Sequence, residues 1–259
     1  MNTPGTPPGH VRPRSGLPAR EVALLLILAA GAWAATVTIA RGMAGMTGTM
    51  GLGLGAFVLL WTLMMAAMMF PSVAPMAALY AKTVQSFRPA RIAGLVVGYL
   101  AVWAAAGLPA YGLAWLTGWM IGNHPGAAHG LGIAAFAVCG VYQLSWLKDR
   151  CLAHCRSPLA LLLHYGSYRG RSRDFRAGAH HGGYCLGCCW GLMLILIAVG
   201  MMNILAMVGL ALLVLIEKVW AYGPAAARLA GAAALALALA TVWFPWLAPG
   251  LHAAPAMMQ

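Results

Sequence analysis

The chain has 259 residues, of which 62% are hydrophobic and only 8% are charged. Soluble domains carry about 25% charged residues because their surface faces water, so this composition excludes a soluble globular protein. The apolar residues lie in blocks about as long as the roughly 20 residues with which an α-helix crosses a bilayer. The sequence therefore predicts an all-α fold, a polytopic transmembrane helical bundle.

Apolar blocks predict about seven spans, because backbone N–H and C=O groups find no water inside a bilayer and must pair within helices. The predicted spans run near residues 22–40, 52–70, 92–118, 131–148, 185–201, 204–220 and 228–247. The third block is overlong and contains Pro109, which predicts a kink or a tilt. The fifth and sixth blocks predict a tight hairpin that turns near Gly200 and Asn203.

The net charge of +12 is distributed along the chain in a way that predicts orientation in the membrane. With the N-terminus placed in the cytoplasm, every Lys and Arg except Arg41 falls on the inner side of the predicted spans. Cytoplasmic loops of membrane proteins carry such an excess of basic residues. The expected partner of this charge is therefore the lipid bilayer and not nucleic acid.

The domain organisation predicted from composition is a single membrane domain with two tails. Residues 1–20 are rich in Pro, Gly and Arg and are expected to form a disordered basic tail. Residues 21–248 form the predicted transmembrane domain, and residues 249–259 a short C-terminal tail. Within the domain, residues 149–184 are expected to form a cytoplasmic loop that carries part of a Cys/His cluster.

The side-chain inventory favours soft metal ligands over hard ones. The acidic residues are only Glu21, Asp149, Asp174 and Glu217, too few for a Mg²⁺ or Ca²⁺ cage or for paired-carboxylate catalysis. Against them stand 6 Cys, 8 His and 16 Met. Thiolate and thioether ligands select Cu(I), and thiolate with imidazole also suits Zn²⁺. The inventory therefore predicts copper(I), with zinc as the alternative.

Five of the six cysteines occur in two short groups. Cys151 and Cys155 are four residues apart, so on a helix they share a face. The second group falls within residues 185–189, and Cys139 stands apart and is expected to be inert. We expect both groups at the cytoplasmic membrane boundary, where their sulfur atoms can hold one ion. The alternative is that small polarizable thiols only pack the helices.

Methionines at helical spacing extend the predicted site into the second span. Met64 and Met68 share one face, and Met65 and Met69 share the neighbouring face. Ordinary core packing is the alternative, because Met is a common filler of apolar interiors. The full set of predicted metal ligands is Cys151, Cys155, Cys185, Cys188, Cys189, His154, His181, Met64 and Met68. Weaker candidates on the predicted outer side are Met43, Met46, Met50, His124, His129, His252, Met257 and Met258.

Glu217 and Lys218 lie where the sixth predicted span meets the cytoplasm. Ionisable residues at this depth are functional candidates by default. Anchoring of the span at the interface is an equally good interpretation of such an adjacent pair.

An ordered set of short motifs carries a family resemblance over residues 20–220. The motif residues are Trp61, Met64, Ala67, Met68, Met69, Pro71, Tyr142, Gln143, Leu147, Lys148, Cys151, Cys155, Arg156, Ser157, Pro158, Gly187, Cys188, Cys189, Trp190, Met193, Met202, Asn203, Glu217 and Lys218. This set resembles a bacterial family of predicted metal-binding integral membrane proteins, formerly labelled a domain of unknown function. It is also similar to membrane copper chaperones that help to load a tyrosinase-type polyphenol oxidase. The resemblance implies copper handling at the bacterial cytoplasmic membrane, with a copper oxidase as the client.

The leading hypothesis for function is a non-enzymatic membrane protein that delivers or translocates Cu(I) for a cuproenzyme. The sequence contains no Gly-x-x-x-x-Gly-Lys nucleotide-binding loop, so transport would depend on a gradient or a partner. One alternative is a membrane thiol oxidoreductase that uses Cys185 and Cys188 as a C-x-x-C pair. The other is a metal-free structural or assembly subunit.

Overall fold

A computed structural model describes residues 19–43, 45–84 and 88–251, and this part of the chain is helical without any strand. The helices are α1 (Ala19–Gly42), α2 (Leu54–Thr83), α3 (Arg88–Asn123), α4 (Pro125–Gln143), α5 (Trp146–Cys155), α6 (Pro158–Gly166), α7 (Arg173–Val199), α8 (Ile204–Val219) and α9 (Gly223–Trp243). Two 3₁₀ turns follow, at Pro245–Leu247 and Pro249–Leu251. The prediction of an all-α fold is confirmed for the described residues.

Six of these helices are long and apolar enough to cross a membrane, namely α1, α2, α3, α4, α7 and α9. Helix α8 has 16 residues, which at 1.5 Å per residue is about 24 Å, short of the roughly 30 Å hydrocarbon core. The described structure thus supports six spans where the sequence predicted about seven. The orientation of the N-terminus stays a prediction, and residues 1–18 and 252–259 of the two predicted tails lie outside the described residues.

Helix α2 is, together with α7, the most buried of the candidate membrane spans. It packs against α1, α3 and α8, and over half of its most apolar stretch is buried. The predicted second span ended at residue 70, but the helix continues through Pro71 and Pro75 to Thr83. Proline removes one backbone donor and crowds the preceding turn, yet it is tolerated in membrane helices where neighbouring helices surround the freed carbonyls. Burial on several sides therefore explains the longer helix.

The segment 149–184, expected as a loop, is mostly helical. It contains the end of α5, all of α6 and the first residues of α7, which begins at Arg173. Ser145 starts α5 by accepting a hydrogen bond from the backbone N–H of Lys148, an N-cap arrangement. Residues 173–183, at the start of α7, are mostly charged, polar or small, so hydropathy alone does not identify them as part of the helix. As a result, residues 185–189 lie inside α7 and not at its beginning.

Two glycines let α3 and α7 touch backbone to backbone. A Cβ at Gly98 would lie 2.0 Å from the carbonyl oxygen of Phe175, and one at Gly178 would lie 1.9 Å from that of Leu95. Small residues permit this kind of close approach between membrane helices. The contact brings Tyr99 of α3 next to the cysteines of α7.

Candidate metal centre

The two cysteine groups meet where α5 packs against α7. The sulfur of Cys155 lies 4.0 Å from the sulfur of Cys188. Two sulfurs that bind one ion at about 2.3 Å each are at most about 4.6 Å apart. The observed separation is therefore within reach of a single shared ion. All six cysteines of the chain are free thiols.

Cys185 and Cys189 on α7 and Cys151 on α5 lie beside this pair. Cys188 and Cys189 each donate a hydrogen bond to the carbonyl of Cys185, at 3.1 and 2.9 Å, so the three side chains lie along one face of α7. All three are fully buried, whereas Cys151 and Cys155 are partly buried. The sulfur of Cys151 occupies space beside Gly187, only 3.0 Å from where a Cβ would stand. A side chain at that glycine would displace the thiol.

Lys218 brings a positive charge to this cluster. Its ammonium nitrogen lies 2.8 Å from the sulfur of Cys185 and 3.4 Å from the hydroxyl of Ser72. The hydroxyl of Tyr99 is 2.9 Å from the same sulfur. A buried ammonium attracts a neighbouring thiolate, which is the form of cysteine that binds a metal ion.

A buried ion pair holds the other side of the cluster. The ammonium of Lys148 lies 2.6 Å from Oε2 of Glu217, and Gln143 donates a hydrogen bond to Oε1 at 2.8 Å. Lys148 also donates to the backbone carbonyl of Cys188. Lys148 and Glu217 are completely buried, and such charges are tolerated only when paired and hydrogen-bonded. The pair therefore ties α5 and α8 to the turn of α7 that carries Cys188.

The methionines of α2 belong to the same core as the cysteines. Met64, Met65, Met68 and Met69 are at most 1% exposed and pack in one cluster with Cys185, Cys188 and Cys189. One turn further along α2, Ser72 contacts Lys218. The methionine face thus shares one buried core with the thiols of α7.

The two predicted histidine ligands have different surroundings. His181 lies one turn before Cys185, is buried, and its Nδ1 has no hydrogen-bond partner. His154 stacks on Tyr184 with ring centres 3.6 Å apart and faces His180 at 5.6 Å. Burial, with the nearby imidazoles of His180 and His164, lowers the pKa of His154 below its ordinary value. This imidazole is therefore neutral at neutral pH and has a lone pair for a metal.

The thiols of α5 hold their protons more tightly than an ordinary cysteine does. The pKa of Cys155 is raised well above its usual range, first because the thiol donates a hydrogen bond to Cys188 and second because it is buried. Burial also raises the pKa of Cys151. A metal ion that binds these residues must displace their protons.

The arrangement is an open set of sulfurs and not a closed cage. Across the described ranges, no three His, Cys, Asp or Glu side chains converge on one point as they stand. Among the weaker outer candidates, His124 is exposed and its ring contacts Trp119, whereas Met50 is buried in the same apolar core as the cysteines of α7. His252, Met257 and Met258 lie outside the described residues.

Several polar residues of the site were not among the predicted ligands. Tyr99 lies inside the third predicted span and Ser72 lies just beyond the second. Both are uncharged, so composition offers no signal for them. Gln143 and Lys148 lie in or at the end of the fourth predicted span, where a polar side chain is itself a signal of function. Their role as partners of Glu217 depends on a contact between distant parts of the chain.

Comparison with known proteins places the chain in a family. No curated protein and no solved structure is significantly similar to it. The family model PpoB2, described as a copper chaperone, matches residues 58–241, well over half of the chain and every residue of the sulfur cluster. The family points to a copper-related role. This chain belongs to the PpoB2 family of copper chaperones.

Proposed function

We propose that this protein binds Cu(I) at the sulfur cluster of α5 and α7 and delivers it to a cuproenzyme at the bacterial cytoplasmic membrane. The observation that carries the proposal is the contact between the sulfurs of Cys155 and Cys188, 4.0 Å apart across two helices. Thiolates select Cu(I) over hard cations. The client is a copper oxidase, and zinc is the alternative metal.

In this proposal the ligands divide into a facing pair and its neighbours. Cys155 and Cys188 bind the ion first, because their sulfurs already lie at a bridging distance. Cys151, Cys185 and Cys189 lie one helical turn or less from that pair and offer sulfur ligands for the next step of exchange. An ion that passes between neighbouring thiols is not bound by all of them at once. Weak binding at several sites favours release of the ion.

The burial of the thiols supports metal binding over disulfide exchange. An oxidoreductase thiol must be reached by the sulfur of its substrate, and exchange rates depend on that access. Cys185 and Cys188, the C-x-x-C pair, are both fully buried. A small ion can enter between helices where a protein disulfide cannot.

Copper content of the purified protein tests the proposal. The full chain and the variants Cys155→Ser, Cys188→Ser and Cys139→Ser are purified anaerobically in detergent, loaded with Cu(I) and assayed for copper per chain. Cys139 is the matched control, since it is also a fully buried cysteine but lies on α4. We expect Cys155→Ser and Cys188→Ser to lose copper and Cys139→Ser to keep it. Equal copper in all four proteins would refute the assignment, and no copper in any would favour a metal-free subunit.

Delivery is tested by the activity of a client. A tyrosinase-type copper oxidase is expressed with the full chain or with Cys188→Ser in copper-limited bacteria. We expect oxidase activity to depend on the intact cysteine pair under copper limitation and to recover when copper is added. Equal activity with both chains under limitation would argue against delivery.

A further inference from the structure

We propose that His154, His164 and His180 form a second metal site, which binds a borderline divalent ion such as Cu²⁺ or Zn²⁺ through imidazole nitrogen. The three histidines come from three successive helices, α5, α6 and α7. Neither the sulfur cluster nor its copper is needed for this site, so the inference stands apart from the proposed function.

The spacing of the rings fits a shared ion. The ring centre of His180 lies 5.0 Å from that of His164 and 5.6 Å from that of His154. A metal–nitrogen bond of about 2.0–2.1 Å places an imidazole ring centre about 3 Å from the ion. Two imidazoles that bind one ion therefore have ring centres about 5–6 Å apart, which is the separation found for both pairs.

One nitrogen of this cluster lacks a partner. Nε2 of His154 is buried and makes no hydrogen bond. An unsatisfied buried polar atom is destabilising, and native structures rarely leave one without a reason. The stacked ring of Tyr184 holds this imidazole in place. A metal ion facing Nε2 would satisfy the atom.

Tyrosines support the other two rings. The hydroxyl of Tyr165 lies 3.3 Å from Nδ1 of His180, which leaves Nε2 of that ring for a metal. The hydroxyl of Tyr168 lies 3.2 Å from Nε2 of His164. Metal-binding histidines usually have such a partner for the second ring nitrogen, and it fixes the orientation of the ring.

A small movement completes the site. His164 is exposed, so its ring turns readily on the nanosecond timescale and can present a nitrogen to an ion held by His154 and His180. The guanidinium of Arg176 lies over the ring of Tyr168, 4.9 Å from its centre. Ligands that are all imidazole suit borderline metals such as Cu²⁺, Zn²⁺ and Ni²⁺ better than Mg²⁺ or Ca²⁺.

Cobalt(II) is the probe that separates this site from the thiols. Bound to nitrogen it gives visible d–d absorption, whereas bound to thiolate it adds an intense near-ultraviolet charge-transfer band. The full chain in detergent is titrated anaerobically with Co²⁺, alongside His164→Ala, His180→Ala, Cys188→Ser and His124→Ala. His164→Ala removes an exposed ring, so loss of folding does not confuse its result, and His124 is an exposed control on a separate part of the chain.

The expected result is one Co²⁺ per chain with d–d bands and no thiolate band. We expect His164→Ala and His180→Ala to weaken binding by about tenfold or more, while Cys188→Ser and His124→Ala keep the spectrum. Absence of nitrogen-type absorption, or equal affinity in the two histidine variants and the full chain, would overturn the site. A spectrum dominated by the thiolate band and lost in Cys188→Ser would also overturn it.

Discussion

Lys218 places its ammonium group 2.8 Å from the sulfur of Cys185 in the buried core of the protein. The contact matters for charge, because two thiolates that hold one Cu(I) carry a net charge of −1. A net charge is costly in a medium of low dielectric constant unless an opposite charge lies nearby. Lys218 supplies that opposite charge, so the copper-bound cluster with its lysine is electrically neutral.

Removal of this ammonium is expected to weaken copper binding. In Lys218→Met the volume is largely kept, but the copper-bound thiolates lose their counter-charge. We expect the affinity for Cu(I) to fall by about tenfold or more, which corresponds to about 1.4 kcal/mol of binding free energy. Competition with a Cu(I) chelator measures the change. Lys82→Met is the control, because Lys82 is exposed at the end of α2 and should leave the affinity unchanged. A higher affinity in Lys218→Met would mean that the lysine competes with copper instead of assisting it.

The ion pair of Lys148 with Glu217 is expected to be a determinant of stability. Lys148→Met leaves a completely buried carboxylate with only Gln143 as a side-chain partner. Breaking a buried pair in this way costs about 3–5 kcal/mol, because the remaining charge is uncompensated. Thermal unfolding in detergent should show a clear drop in Tm, and the double variant Lys148→Met with Glu217→Gln should recover part of it.

An exposed ion pair is the control for this prediction. Arg228 and Asp149 lie 3.7 Å apart with both side chains substantially exposed. Surface pairs contribute about 0–1 kcal/mol, so Arg228→Ala should leave Tm nearly unchanged. Equal losses in Lys148→Met and Arg228→Ala would show that the buried pair has no special role.

The contact of α3 with α7 is expected to be needed for the shape of the site. A Cβ at Gly178 would lie 1.9 Å from the carbonyl oxygen of Leu95, which is backbone and cannot turn aside. Gly178→Ala should therefore separate the helices, move Tyr99 from Cys185, and lower both Tm and copper per chain. Gly183→Ala is the matched control on the same helix, because nothing lies within 4 Å of its added methyl group. Retention of copper and Tm in Gly178→Ala would show that the helices can part without effect on the cluster.

The sequence predicted the convergence of the sulfurs better than it predicted the helices that bring them together. Five clustered cysteines and their spacing indicated one site, and Cys155 does meet Cys188. The position of the second cysteine group along its helix was different from the expectation, because α7 begins at Arg173 and residues 185–189 lie inside it. Hydropathy finds only the apolar part of a helix, and small or polar residues at its start carry no such signal.

The partners of the site depended on contacts that sequence spacing does not encode. Glu217 and Lys218 are adjacent, and their sequence was consistent with simple anchoring at an interface. In the folded chain they reach different partners, Lys148 and Cys185, on α5 and α7. Which neighbour a buried charge meets is decided by the packing of distant helices, so only the three-dimensional arrangement reveals it.

The methionine face of α2 is expected to affect the movement of copper and not its capture. Replacement of Met64 and Met68 by Leu keeps the volume and the apolar character, so folding should cost less than about 1.5 kcal/mol per site. The change removes two thioether sulfurs from the core that contains the cysteines. If copper exchanges through thioethers on its way to or from the thiols, the double variant should hold the same copper per chain as the unaltered protein.

The rate at which copper leaves the protein decides this last prediction. Cu(I)-loaded protein in vesicles is mixed with an impermeant chelator outside, and copper transfer is followed over time. We expect transfer to slow severalfold in Met64→Leu with Met68→Leu, since weak sites along a path speed exchange. Met76→Leu is the control: Met76 is also buried in α2 but packs in a separate apolar cluster without cysteines. Equal rates of copper transfer in the double variant and the control would mean that Met64 and Met68 only pack the core, because leucine of similar volume would then replace them without effect.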